Sequence, residues 1–493
     1  MAPPASGASD PEPPAFYDAS QSAAAAWDVW FSMQAGAQHI ERLAQHRLGR
    51  LVAIARDRSP FYQDLYRDMP ADACRIVQLP VVTKRELMAN FDRVLTDPEL
   101  SGEMVHQFLA DERRAGRPLL DRYAVWSSSG TTGEPGIFLH DGRALAVYEA
   151  LEVVRFRRLQ SPLALAATMM GRDRYALVGA TGGHFAGNAT VERIRRLHPW
   201  LAQSVRAFSV LDSTPLLVEQ LNQYQPMLLA TYPTAASLLA NEQRAGRLAI
   251  QPREIWTGGE QLSPAQRAYI TTAFDCAVHD DYGASEFLAI AWECARGAMH
   301  CNADWVILEP VDERYRPVPA GVRSHTVLLT NLANLVQPLI RYDLGDSVTL
   351  LEGSCECGSA LPAIRVEGRC DDAIVLQDTS GRGVTLLPLA IATVLEDEAG
   401  VFRFQLRQTG ARSLALNLDP PAADAHTVQR CRRTLRRFLR TQGLPDVELD
   451  IERCALQRHP VSGKLRRVVA MTDAPQLIHH GPPPRVSRDK PAH

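Results

Sequence analysis

The 493-residue chain is too long for one hydrophobic core, so two or three domains are expected. Its 46% hydrophobic and 22% charged residues suit a soluble globular protein, and a net charge of -3 lacks the basic excess of a nucleic-acid or membrane-surface binder. No apolar run approaches the ~18 residues of a membrane span; Leu163 to Met170 is among the longest. The opening Met1-Ala-Pro-Pro-Ala-Ser-Gly lacks the basic stretch and apolar core of a signal peptide, so a cytoplasmic protein with no membrane and no nucleic-acid partner is expected. Nine cysteines in such a chain do not read as a disulfide framework.

Residues 1–14 are Pro-, Ala-, Ser- and acid-rich, and 475–493 are Pro-rich and basic; both read as disordered tails. Helical periodicity runs from Trp27 to about Arg56 through Ile40, Leu43, Leu48, Leu51, Val52 and Ile54. Thr83-Lys-Arg-Glu86 has capping-box spacing and starts a short helix. From about residue 120 to 350, apolar runs such as Tyr175–Val178, Met227–Thr231 and Arg253–Trp256 alternate with helical patterns and glycine turns. Ser263-Pro-Ala-Gln266 adds a second capping box, with proline in the first turn. Strand, glycine turn, capped helix, repeated, predicts an α/β body with ligands at the strand ends. After about residue 368 the pattern changes. Phe402, Phe404 and Leu406 alternate, as do Leu414, Leu416 and Leu418, then Val447, Leu449 and Ile451, with one helix face of Val428, Cys431, Leu435, Phe438 and Leu439 between them. That predicts a small α+β domain over 369–474 behind a large domain over 15–368. No internal repeat of 20 to 50 residues is present.

Four motifs carry chemistry. In Ser127-Ser-Ser-Gly-Thr-Thr-Gly-Glu-Pro-Gly136 the glycines free backbone N–H groups to face a polyphosphate, and the hydroxyls add donors. No Lys follows the second glycine, so this is not the GxxxxGK[ST] loop. Asp281-Tyr-Gly-Ala-Ser-Glu286 follows Gly258-Gly-Glu260. Arg341-Tyr-Asp-Leu-Gly-Asp346 leads to Gly368-Arg-Cys-Asp-Asp372, and His459-Pro-Val-Ser-Gly-Lys464-Leu-Arg-Arg467 comes last.

Together and in this order, over about residues 30 to 470, they resemble the acyl-adenylate-forming superfamily, especially its phenylacetate–CoA ligase branch. The resemblance implies a large adenylate-forming domain with a small mobile α+β C-terminal domain. It implies ATP-dependent activation of a carboxylic acid, aryl or arylacetic, to acyl-AMP with pyrophosphate release, followed by transfer to a thiol such as coenzyme A. Carried over residue by residue, Ser128, Ser129, Gly130, Thr131, Thr132 and Gly133 hold phosphates. Gly259, Glu260, Asp281, Tyr282 and Gly283 line the nucleotide, with Tyr282 on adenine. Ser285 donates to the α-phosphate, and Glu286 holds Mg²⁺ across the phosphates. Asp346 takes both ribose hydroxyls, since a carboxylate accepts twice; Arg369 contacts ribose and phosphate, Asp371 is the hinge, and Lys464 stabilises the charge of the adenylation step. The chain departs from the pattern at Glu134, where a Lys is common. His184, Phe185, Tyr232 and Ala284 are the pocket candidates for the acid.

Cys294, His300, Cys355 and Cys357 make a Cys₃His set that zinc closes tetrahedrally, a structural site with no open position; Cys301 is an alternative to His300. The stretch after Asp372 reaches Gly383 later than in relatives, which opens other acceptors: an acyl carrier protein, or an amine or hydroxyl. A dead paralogue that only binds nucleotide is the remaining alternative.

Overall fold

The computed structural model describes residues 17–70, 75–128, 136–156, 173–181, 183–366, 374–401, 404–418, 424–454, 456 and 467–471. Both terminal tails expected from composition lie outside these residues.

The helical periodicity near the N-terminus belongs to two helices instead of one. Asp18 caps Ala19–Met33 by accepting from Ser20 N and Gln21 N, and Gly36, at φ -79° and ψ 165°, starts Ala37–Arg58 afresh. Extended backbone at Gly36 cannot continue a helix, so the apolar spacing carries across a break. Ile40, Leu48, Leu51 and Val52 are buried as their spacing predicts. The pair is anchored by a buried ion network. The Arg155 guanidinium donates to both Asp304 oxygens (2.7 and 2.8 Å), to Asn302 Oδ1 (2.7 Å) and to Ser32 Oγ (2.8 Å). Arg47 Nη1 donates to the Asp304 carbonyl at 2.6 Å.

The body is a nine-stranded mixed sheet. Tyr175–Gly179, Val205–Ser209, Leu228–Thr231, Glu254–Thr257 and Ala277–Ala284 run parallel. Helices Ala186–Leu197, Thr214–Tyr224, Pro233–Arg244 and Pro264–Phe274 connect them, since parallel strands need crossover connections. Both capping boxes form, at Thr83 with Glu86 and at Ser263 with Gln266. From Ala277–Ala284 onward the sheet turns antiparallel through Phe287–Glu293, Met299–Cys301, Ala363–Val366 and Val348–Leu350. The mixed α/β class expected from the alternating pattern is what the chain folds into.

Two further pieces frame the site. Tyr123–Ser127 and Ile137–Asp141 pair antiparallel, and Val306–Val311, Thr326–Asn331 and Tyr342–Asp343 form a three-stranded sheet. Toward the C-terminus, Ile374–Gln377 and Gly383–Leu386 pair as a hairpin. The turn between them is closed by Asp378 N to Arg382 O at 2.9 Å. A four-stranded sheet follows, in the order Glu448–Arg453, Ser413–Leu418, Phe404–Gly410, Val468–Val469. Helix Ala425–Thr441 buries Cys431, Leu435, Phe438 and Leu439. Gln442 Nε2 donates to Leu211 O (2.8 Å) and Asp212 O (3.2 Å), joining this α+β unit to the parallel sheet. No described helix is long and apolar enough to cross a membrane.

Candidate active site

Asp281-Tyr-Gly-Ala-Ser-Glu286 lies where the sheet changes direction. Strand Ala277–Ala284 ends the parallel half and turns directly into Phe287–Glu293, pairing Tyr282 with Ala291 and Ala284 with Phe287, with a register shift between. A Cβ on Gly283 would stand 2.1 Å from Leu288 O, so only glycine fits this irregularity. The Ser285 carbonyl at the turn accepts from Trp126 Nε1 (2.8 Å) and from His140 Nε2 (3.2 Å). Burial pushes His140 down to about 3, so the ring is neutral and donates through Nε2. Its Nδ1 faces the Tyr148 hydroxyl at 3.0 Å, which in turn accepts from Asn331 Nδ2 at 2.9 Å. Asn331 Nδ2 also donates to the Glu286 carbonyl at 2.8 Å. The turn is therefore held by one chain of hydrogen bonds.

Glu286 is buried, 6% exposed, and its Oε1 accepts from the Tyr342 hydroxyl at 3.0 Å. Burial raises its carboxyl above the usual carboxylate range, and the Lys84 ammonium is the main opposing influence. Tyr282 donates its hydroxyl to Asp346 Oδ2 at 3.0 Å, bringing two motifs 64 residues apart into contact. Ser128 closes the mouth of the Ser/Gly/Thr loop. Its N–H donates to Gly136 O (2.8 Å), and its Oγ accepts from Gly136 N (3.1 Å) and from Lys84 Nζ (3.2 Å).

Gly258-Gly-Glu260 sits at the end of the neighbouring parallel strand. Glu260 Oε2 accepts from Thr234 N at 3.1 Å, capping helix Pro233–Arg244. Gly259 has φ +75°, and a Cβ there would lie 3.1 Å from the Tyr232 ring. A Cβ on Gly258 would meet Asp281 Oδ1 at 2.6 Å. The two glycines thus let the turn close over Tyr232 and Asp281.

Asp280 and Asp281 are adjacent, and burial pushes them up to about 7 and about 8, with Asp280 adding repulsion to Asp281. Both hold a proton more tightly folded than unfolded, so stability is fully present below the ordinary carboxylate range and lost as pH rises through these values. Asp281→Asn is accordingly expected to melt above the parent, with the gain absent below about pH 4 and growing to pH 8. Calorimetric melts across that range check it; a pH-independent difference contradicts it.

Comparison with known proteins bears on the family and the fold. No family model matches the chain. The phenylacetate–coenzyme A ligase of Thermus thermophilus is 26% identical over 376 residues, 73% of this chain and 75% of that one. By this likeness the chain is similar to the phenylacetate–CoA ligase-like branch of the adenylate-forming superfamily. Protein CapK of Staphylococcus aureus is 27% identical over 135 residues, 27% of this chain and 28% of that protein. The fold is also that of a solved 2-hydroxyisobutyryl-CoA ligase in complex with 2-HIB-AMP and CoA, with a TM-score of 0.53 and 20% identity, over 89% of this chain and 91% of that one.

Of the nucleotide-site candidates, the described residues include Ser128, Gly259, Glu260, Asp281, Tyr282, Gly283, Ser285, Glu286 and Asp346. Ser129, Gly130, Thr131, Thr132, Gly133, Arg369, Asp371 and Lys464 lie outside the described residues. Among the pocket candidates, Ala284 ends the motif strand, and Phe185 bridges Ser127 beside the loop. Tyr232 stands between Gly179 and Gly259. His184 is engaged elsewhere: its Nε2 faces Asp111 O at 3.1 Å and its ring packs on Phe108. Sequence reading missed Lys84, Trp126, His140, Asn331 and Tyr342. Only Tyr342, inside a motif, and Lys84, inside a capping box, left any signal.

At the antiparallel edge, Cys294 and His300 flank the Phe287–Glu293 to Met299–Cys301 turn, and Cys355 and Cys357 come from the turn before Ala363–Val366. Their ligand atoms all lie within 4.8 Å of one another. Cys294 Sγ is 3.7 Å from Cys355 Sγ, and Cys357 Sγ is 3.2 Å from His300 Nε2. His300 Nδ1 faces Leu361 O at 2.9 Å, which fixes the ring with Nε2 toward the thiols. Cys301, the alternative ligand, packs in the apolar core instead. Strand alternation puts neighbours 300 and 301 on opposite faces.

Proposed function

We propose that this chain activates a carboxylic acid with ATP as its acyl-AMP, releasing pyrophosphate, and then passes the acyl group to a thiol such as coenzyme A. The observation that carries the reading is the convergence of Ser128, Glu286, Tyr282 and Asp346 at the point where the sheet switches direction. Ligands of open α/β sheets bind at such points. In this reading Tyr282 and Asp346, already hydrogen-bonded, take the adenosine, with Asp346 on the ribose hydroxyls. Glu286 is the hard oxygen donor for Mg²⁺, oriented by Tyr342, and Ser285 stands at the α-phosphate. A bound Mg²⁺ supplies charge neutralisation across the phosphates. The acid, aryl or arylacetic, lies against Tyr232, Phe185 and Ala284.

Residues 15–368 form the adenylating domain and 369–474 a small domain that rotates about Asp371, carrying Lys464 in for adenylation and out for the acceptor. Pyrophosphate release from ATP, screened over carboxylic acids and repeated with CoA and with an acyl carrier protein, tests the proposal. Acid-dependent release followed by CoA thioester is the expected result. ATP binding with no release for any acid would leave a nucleotide-binding paralogue.

The Cys₃His cluster fits a structural zinc: three thiols, an imidazole with its second nitrogen already engaged, and mutual distances suited to one tetrahedral ion. Protein purified without chelator is expected to contain one zinc per chain. Cys357→Ser should lose the metal and destabilise the antiparallel edge while the adenylating residues stay in place. Metal analysis finding no zinc contradicts this.

A further inference from the structure

From Ser128 to Gly136 the loop offers hydroxyls, glycines and Glu134, and no Lys or Arg. Backbone N–H groups cradle a phosphate, but they do not cancel the charge of a polyphosphate. Besides any Mg²⁺ held at Glu286, a side-chain cation for these phosphates has to come from outside the loop, and Lys84 stands beside its first residue. Its Nζ donates to Ser128 Oγ at 3.2 Å, the same oxygen that holds the far end of the loop through Gly136 N. A Cβ on Gly136 would stand 2.9 Å from Lys84 Cε, so the lysine stem runs along that end of the loop.

The position is built by the backbone. Val82 N donates to Arg341 O at 3.1 Å and Asp343 N to Val82 O at 2.9 Å, stitching the chain before Lys84 to the strand that carries Tyr342. Tyr342 is the residue that orients Glu286. The Thr83–Glu86 capping box, with Thr83 N on Glu86 Oε2 at 2.8 Å, then starts the helix with Lys84 as its first residue. Lys84 therefore touches Ser128 and acts electrostatically on Glu286, the three coming from three separate elements.

We infer that Lys84 binds the β- and γ-phosphates of ATP and neutralises the charge gathering on pyrophosphate as it leaves, an inference that rests on the proposed adenylation. In that step a carboxylate oxygen of the acid bonds to the α-phosphorus as the bond from that phosphorus to the α–β bridging oxygen breaks. The electron pair stays on the departing oxygen and no proton moves. The lysine stabilises the product side of this charge shift in a preorganised place.

Calorimetric titration of the full chain with Mg²⁺-ATP and with AMP, in the absence of any acid, tests this. Lys84→Met keeps the packed stem and removes the charge. It is expected to weaken ATP binding about tenfold or more and leave AMP binding within about twofold, while Lys84→Arg retains most of the ATP affinity. Unchanged ATP affinity in Lys84→Met, or equal losses for ATP and AMP in a variant that melts with the parent, overturns the inference. A parent chain that binds ATP but releases no pyrophosphate with any acid counts against the proposed activity, while the ATP-to-AMP difference still decides the role of Lys84.

Discussion

Lys464→Ala is expected to lower acyl-AMP formation about 10²–10³-fold with the fold intact, the loss that follows removal of one preorganised charge. The reaction brings two anions together: the attacking carboxylate and the α-phosphate. Glu286, buried and held by Tyr342, lies on the described side of the site. Charge has to be supplied against the two anions, and Lys464, in the late Gly-Lys-Leu-Arg-Arg segment, is the proposed source next to the α-phosphate. The measurement is acid-dependent pyrophosphate release in single turnover, with the melting temperature as control. Consumption of chemically supplied acyl-AMP by CoA should fall far less, because in the proposed mechanism the small domain is turned away in that step. Pyrophosphate release near the parent rate would remove Lys464 from the mechanism.

The largest stability effect is expected at Arg155→Ala, about 3–5 kcal/mol at neutral pH, the cost of leaving one partner of a buried ion pair alone. Arg155 and Asp304 are both 0% exposed, and the guanidinium makes four hydrogen bonds to Asp304, Asn302 and Ser32. Burial pushes the Asp304 carboxyl up, and Arg155, with help from Ser32 and Arg47, more than offsets this, holding it below the ordinary value. The stability it contributes is present above the unfolded pKa and lost as pH falls through the folded one. Without Arg155, Asp304 shifts up and neutralises, so the penalty should shrink toward acid pH. Arg155→Met with Asp304→Asn should recover much of the loss, because no uncompensated charge remains buried. Denaturant unfolding of the two single variants and the double checks both points; additive losses in the double variant would mean that the two residues are not coupled.

The Asp281–Glu286 turn and the Asp346 segment were legible because glycine and carboxylate spacing is a local property that a strand-to-turn transition preserves. The Cys₃His set was legible for the same reason, although two candidates stood side by side at 300 and 301. The strand period separated them by sending His300 to the cysteines and Cys301 into the core. The break at Gly36 was not legible, because apolar spacing continues across it.

Sequence by itself determined the α/β class and the order of the motifs, since these depend on neighbours a few positions apart. Tertiary structure alone decided how they meet. The contact of Tyr282 with Asp346 spans 64 residues and that of Lys84 with Ser128 spans 44. The neutral state of His140 and the raised carboxyl of Glu286 come from burial that only the packed sheet creates. Charge, burial and distance between remote residues are properties of the fold, and no local pattern encodes them.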